Sequence, residues 1–245
     1  MFSARVTAAT ALRVLTQLKR DPRTIALLLL VPVGLVALLK YVLEGQPGSF
    51  ERIGGPLLGL FPFISMFIVT SITMLRERTT GTLERLMTMP LAKLDILLGY
   101  GLAFALVGIV QSTLVSTVAL AGLDLEVAGS AVAVVALAVG NALLGMSLGL
   151  FVSAFATTEF QAVQFMPAVV FPQMLLCGLF VPRDQMARAL ELVSDAVPLT
   201  YAYDALFRVT QGLGGSRLVL DVGVTVGATL VALGLGASTL RRRTQ

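Results

Sequence analysis

One run of adjacent charged residues in this chain, Arg76-Glu77-Arg78, is followed shortly by Gly81-Thr82-Leu83-Glu84-Arg85-Leu86 and then Pro90. Gly81 and Thr82 can open a short helix, Glu84 in its first turn suits the positive end of the helix dipole, and Pro90 ends it. Leu83, Leu86 and Met87 then share an apolar face, while Glu84 and Arg85 project elsewhere. A short rigid helix that carries both charge and an apolar edge can insert into a groove on a soluble partner. The same residues can equally cap a helical bundle and orient the two segments they join.

Bond-making chemistry finds no comparable footing. The chain has no His and one Cys, Cys177, so it offers no intrachain disulfide and no zinc site built on those residues. Cys177 lies in an apolar run, as a small buried hydrophobe does. There is no Gly-Lys pair and hence no G-x-x-x-x-G-K-[ST] phosphate loop; if ATP drives this protein, the nucleotide chemistry comes from a partner. The polar residues inside the apolar runs are uncharged: Gln111, Ser112, Asn141, Ser147, Gln164 and Gln173. Gln111, Asn141, Gln164 and Gln173 are candidates to line a substrate path. Each can equally bond to a neighbouring helix, for a gain on the order of 1 kcal/mol. With no ionisable group at mid-span, a proton- or sodium-coupled carrier is disfavoured. An intramembrane enzyme lacks a carboxylate pair or a nucleophile with a base.

The elements that must hold these residues are membrane helices. The 245 residues are 56% hydrophobic and 13% charged, against about 25% charged in soluble domains. Mean hydropathy is +0.89. About 20 apolar residues span a bilayer, and six runs qualify: Thr24–Leu43, Pro56–Leu75, Leu94–Ala121, Ala128–Ser153, Ala162–Val181 and Leu218–Leu240. The first is too long for a leader and no small-x-small cleavage pattern follows it, so it is expected as a retained span. The predicted fold is therefore all-α and integral to the membrane, one permease-like domain over residues 1–245. The glycine pairs Gly55–Gly59, Gly145–Gly149 and Gly223–Gly227 have the spacing that lets helices approach closely.

Orientation follows from the basic residues, which collect on the cytoplasmic side. With both termini inside, twelve of the eighteen Lys and Arg are cytoplasmic, in the N-terminal segment, the loop 76–93 and the tail Arg241–Arg243. The six outside or at the outer edge are Lys40, Arg52, Arg183, Arg188, Arg208 and Arg217. The net charge of +4 is thus a topological signal, and no aromatic interleaving suggests nucleic acid as a partner. Within residues 1–23, Ala8, Ala11, Leu12, Leu15 and Leu18 share one helical face and Thr7, Thr10, Arg13, Thr16 and Arg20 the other. That pattern suits a helix lying in the cytoplasmic interface against lipid headgroups, or packed on the bundle. Between the last two spans, residues 182–216 predict two short helices separated at Pro198, on or dipping into the outer leaflet.

The segment 76–90 resembles the cytoplasmic motif of type-2 ABC exporter permeases, roughly R-E-x-x-x-G-T-L-E-x-L-x-x-x-P after the second span. Gly178-Leu-Phe-Val-Pro182, Pro198-Leu-Thr-Tyr201 and Asp204-Ala-Leu206 resemble that family's outer-leaflet phrase, with Phe207 intervening before Arg208. The resemblance implies a permease that dimerises and binds two copies of a separate ABC ATPase, which carries ATP and Mg; this chain itself carries no cofactor. It implies that Glu77 through Pro90 form the coupling helix. Glu77, Arg78, Gly81, Thr82 and Pro90 are carried over with it, Glu84 and Arg85 make its polar contacts, and Leu83 and Leu86 its apolar anchor. The outer segment, with Pro182, Pro198 and Tyr201, gates the exit side. It places the protein in a bacterial or archaeal cell membrane.

Members of the family export drugs, antibiotics, lipids or lipid-linked polysaccharides. The chain has no Trp and only 4 Tyr, none in the middle of a span, whereas sugar channels favour aromatic platforms. The expected cargo is therefore hydrophobic or amphipathic, as in the daunorubicin-resistance branch. The alternatives are a glycan exporter of the same family, a non-transporting membrane anchor and an ion-coupled carrier.

Overall fold

The computed structural model describes residues 3–46, 48–88 and 93–239, without the side chains of residues 84, 86, 87, 93 and 94. Among them every regular element is helical. The order is α1 (Ala4–Lys19), α2 (Pro22–Val42), α3 (Ser49–Thr79), α4 (Thr82–Thr88), α5 (Lys93–Thr117), α6 (Ala131–Val152), α7 (Glu159–Phe165), α8 (Phe171–Leu176), α9 (Arg188–Asp195), α10 (Pro198–Thr210) and α11 (Ser216–Ser238). Among the described residues five helical segments are long and apolar enough to cross a membrane: Pro22–Val42, Ser49–Thr79, Asp95–Gly122, Ala131–Phe155 and Ser216–Ser238. Exposed Leu27, Leu30, Leu38 and Val42 on α2, and Val219, Val226, Leu230 and Val231 on α11, face no protein. Apolar surface of that extent belongs against lipid or another chain.

The remaining predicted span, 162–181, is helical from Glu159 to Leu176 but interrupted. Pro167 and Pro172 each lack an N–H, and the stretch Met166–Val170 between α7 and α8 winds as a π-helical turn. The path then leaves the helix at Cys177 and turns at Gly178, whose φ of 99° is left-handed.

α3 runs further than predicted at both ends, and its 31 residues reach about 46 Å at 1.5 Å each. Pro56 and Pro62 lie within it. Arg76, Glu77 and Arg78 accordingly stand on the last turns of a helix rather than in a loop, and the turn proper is Thr80–Gly81. Gly81 has a φ of +71°, which a side chain would resist, and its carbonyl starts α4 by accepting from the Arg85 amide at 3.0 Å.

α3 and α6 form the centre of the bundle. A Cβ on Gly145 would overlap the Phe63 carbonyl, and one on Gly149 the Thr70 hydroxyl, so these helices meet backbone to backbone. Thr70 bridges them, its Oγ1 donating to Met66 O at 2.6 Å and lying 3.2 Å from Met146 O. Gly55 and Gly59 admit Thr210 and Leu206 of α10 in the same way. The third pair, Gly223 and Gly227, has nothing within 4 Å. α10 begins with Pro198 at its first position and buries Leu199, Ala202, Ala205, Leu206 and Val209 in the bundle.

The expected faces of α1 are corrected. Its buried residues are Thr10, Ala11 and Val14, whereas Ala8 and Leu12 are exposed. The face turns because Thr10 fits over Gly99 of α5, where a Cβ would meet it, and because Arg13 pairs with Glu77 and donates to Tyr100 inside.

Candidate functional site

Three successive side chains near the end of α3 point to three different elements, since adjacent residues on a helix diverge by about 100°. Arg76 makes a two-pronged pair with Glu159 of α7, Nε to Oε1 at 2.7 Å and Nη2 to Oε2 at 2.9 Å. This guanidinium holds the Glu159 carboxyl below the usual carboxylate range. Glu77 is buried and pairs with Arg13 of α1 at 3.4 Å; Arg13 also donates to the Tyr100 hydroxyl of α5. Arg78, half-buried, donates from Nη2 to Thr239 Oγ1 beyond α11 at 3.2 Å. The start of α1 is fixed separately, the Ser3 amide donating to the buried Asp95 carboxylate at 3.1 Å.

Glu77 and Arg78, expected at a partner surface, are thus turned inward. They fasten α3 to α1, α5 and α11. Leu83 is likewise corrected as an external anchor: it is 3% exposed, packed in the cluster of Met74, Ile96, Tyr100 and Ala11. The outward side of α4 carries Arg85 and Thr88, with Gly81 and Thr82 half-buried at its start. The side chains of Glu84 and Leu86, and all of Pro90, lie outside the described residues. Arg13, Tyr100, Asp95, Glu159 and Thr239 were missed by the sequence reading. They lie far along the chain from their partners, and no local spacing signals them.

Of the four candidate path residues, Gln111 and Asn141 lie at separate helix contacts and Gln164 and Gln173 do not. Gln111 is fully buried and donates from Nε2 to Leu28 O of α2 at 2.8 Å. Asn141, 2% exposed, lies 3.4 Å from Ala202 O of α10 and beside Gly59. Gln173 donates back to Val169 O at 3.1 Å, bonding within the π-turned stretch, and Gln164 is exposed on α7.

At the opposite end of α3, Pro182 and Arg183 open the segment expected to gate. Arg183 donates to Ser194 Oγ at 2.9 Å and pairs with Asp195 and Asp204, binding the turn Arg183–Gln185 to α9 and α10. Tyr201 donates to Asp195 O at 2.8 Å across the Pro198 corner. The expected gate residues Pro182, Pro198 and Tyr201 therefore belong to one folded cap.

These features define a multi-pass helical membrane protein with a short helix braced at one end of the bundle and a folded cap at the other. Residues 6–210 match the ABC-2 type transporter family, and the chain belongs to that family of ABC-transporter membrane permeases. It is 27% identical to ABC transporter G family member 20 of Dictyostelium discoideum over 164 residues, 66% of this chain and 22% of that protein. It is 28% identical to the probable multidrug ABC transporter permease YbhR of Escherichia coli K12 over 148 residues, 60% of this chain and 40% of that protein. The chain thus spans well under half of either relative.

Proposed function

We propose that this chain is the membrane-spanning subunit of an ATP-driven exporter that moves a hydrophobic or amphipathic compound out of the cytoplasm or the inner leaflet. ATP and Mg are bound by a separate ABC ATPase, present in two copies beneath a permease homodimer. Both termini are cytoplasmic, residues 162–181 with their interrupted turn serve as the fifth of six crossings, and α9 and α10 form a re-entrant outer cap. α4 is the coupling helix.

The observation that carries this reading is the bracing of α4. Leu83 seats it in the bundle, and Arg76, Glu77 and Arg78 tie the helix behind it to α7, α1 and α11. A push on the exposed Arg85 side therefore moves several helices together instead of bending a loop. The relative described as a probable multidrug permease supports the cargo class, as does the absence of Trp from the chain.

The test is to express the chain with the ATPase encoded beside its gene, purify through a tag on the permease and measure ATP hydrolysis in lipid. Co-purification, with hydrolysis or transport reduced in Glu84→Lys and Arg85→Glu, is expected. Failure to retain any neighbouring ATPase would overturn the proposal.

A further inference from the structure

The outer face of a membrane protein is where Lys and Arg are least favoured, yet six lie there on the proposed orientation. Four of those six meet in one place. Arg52 at the start of α3, Arg183 in the cap, Arg208 on α10 and Arg217 at the start of α11 all line a cleft of about 560 Å³. Arg52 and Arg78 stand 26 positions apart on α3, roughly 39 Å of helix, so the cleft is at the far end from the coupling helix.

Its charges are unevenly matched. Arg183 is occupied by Ser194, Asp195 and Asp204. Arg208 and Arg217 share one carboxylate, the fully buried Asp221, at 3.1 Å and 3.9 Å, as ion pairs rather than aligned hydrogen bonds. Arg52 has no carboxylate within pairing distance among the described residues, and its side chain is exposed. Asp184 also lines the cleft, exposed beside Arg183. Arg52, Arg208 and Arg217 therefore line the side formed by α3, α10 and α11, where Asp221 pairs with two of them and Arg52 with none, while Asp204 of the lining is engaged by Arg183. Leu179, Phe180 and Phe207 supply an apolar wall, with Phe180 61% exposed. Guanidinium groups bind phosphate and carboxylate through paired N–H donors, and an adjoining apolar wall suits an attached hydrocarbon.

We propose that this cleft binds an amphiphile through an anionic, phosphate-like headgroup held by Arg52, Arg208 and Arg217. The amphiphile is either an anionic lipid of the outer leaflet or exported cargo of the same chemistry. The inference rests on the proposed orientation but not on ATP coupling, so a binding measurement separates its failure from failure of the exporter reading.

The experiment uses the purified full chain and two probes. The first is dodecyl phosphate titrated into protein in the neutral detergent dodecyl maltoside. The second is lipid retained in native mass spectra after extraction from nanodiscs of phosphatidylcholine with 30% phosphatidylglycerol. The variant is the double substitution Arg52→Gln and Arg217→Gln, both exposed, against a control of Lys40→Gln and Arg188→Gln, two outer cations that do not line the cleft. Loss of two charge-assisted bonds is expected to weaken dodecyl phosphate binding about tenfold or more in the cleft variant and to leave the control unchanged. Phosphatidylglycerol retained by the wild type and lost from the cleft variant would identify the lipid as occupant. Dodecyl phosphate binding without retained phosphatidylglycerol would identify a cargo-type amphiphile. Equal binding in the two variants, or no binding of either probe, would overturn the proposal. Should the double variant not purify, Arg52→Gln alone carries the same comparison.

Discussion

Arg13→Met should destabilise the protein more than Glu77→Gln, although both break the same ion pair. The Glu77 side chain is 8% exposed and Arg13 31%. Removing Arg13 strands a carboxylate that water cannot reach, whereas removing the carboxylate leaves a guanidinium that partly can. Breaking a buried pair from one side costs about 3–5 kcal/mol. With one partner a third in water and the contact at 3.4 Å, about 2 kcal/mol is the appropriate size for Arg13→Met. At about 2–4 °C per kcal/mol for a chain of this length, melting falls by about 4–8 °C. The double variant Arg13→Met with Glu77→Gln removes both charges and should recover part of that loss. The assay is built into the chain: Cys177 is the one thiol and is fully buried, so a thiol-reactive fluorogenic dye reports unfolding on heating. If Arg13→Met melts with the wild type, or if the double variant melts below Arg13→Met, the inward role of Glu77 is wrong.

Three further outcomes follow from the same geometry. Gly145→Leu should prevent a stable bundle, because the new side chain enters the Phe63 backbone, while Gly227→Leu, facing open space, should melt within about 2 °C of the wild type in the dye assay. Gln111→Leu should leave transport selectivity unchanged and cost about 1 kcal/mol, since its amide bonds to Leu28 O; altered selectivity in transport assays would restore it to the substrate path. The Arg76–Glu159 pair holds the folded Glu159 pKa below the unfolded value, so its stabilisation is present above the ordinary carboxylate range and fades as pH falls through the folded value. Being exposed, the pair should contribute no more than about 1 kcal/mol. Melting curves between pH 3 and 7 should show that part of the acid sensitivity missing in Glu159→Gln.

The covalent sequence alone determined that this is a helical membrane protein, because run length and the scarcity of charge are properties of the local chain and the bilayer acts on them directly. Its apolar runs fall on five of the long helices, although α3 begins seven residues before its run, and its proline punctuation falls between α9 and α10, since hydrophobic length and proline are local signals. It also marked the segment around Gly81 as a helix-starting turn, because φ = +71° there suits glycine and little else. What it could not determine was direction. Arg76, Glu77 and Arg78 look alike as charges on a cytoplasmic turn, but only the packed bundle decides that Glu77 meets Arg13, 64 positions earlier, and that Arg78 meets Thr239, 161 positions later. Leu83 has the same apolar side chain whether it anchors a partner or its own core, and its burial in the cluster that holds Met74, Ile96 and Tyr100 settles the matter. The arginines of the cleft show the same limit: composition counts 18 Lys and Arg, and only the approach of α3, α10 and α11 brings Arg52, Arg208 and Arg217 to one cleft. Spans follow from the free energy of a segment in lipid, whereas sites follow from which segments touch, and that depends on backbone contacts as specific as Gly145 against Phe63.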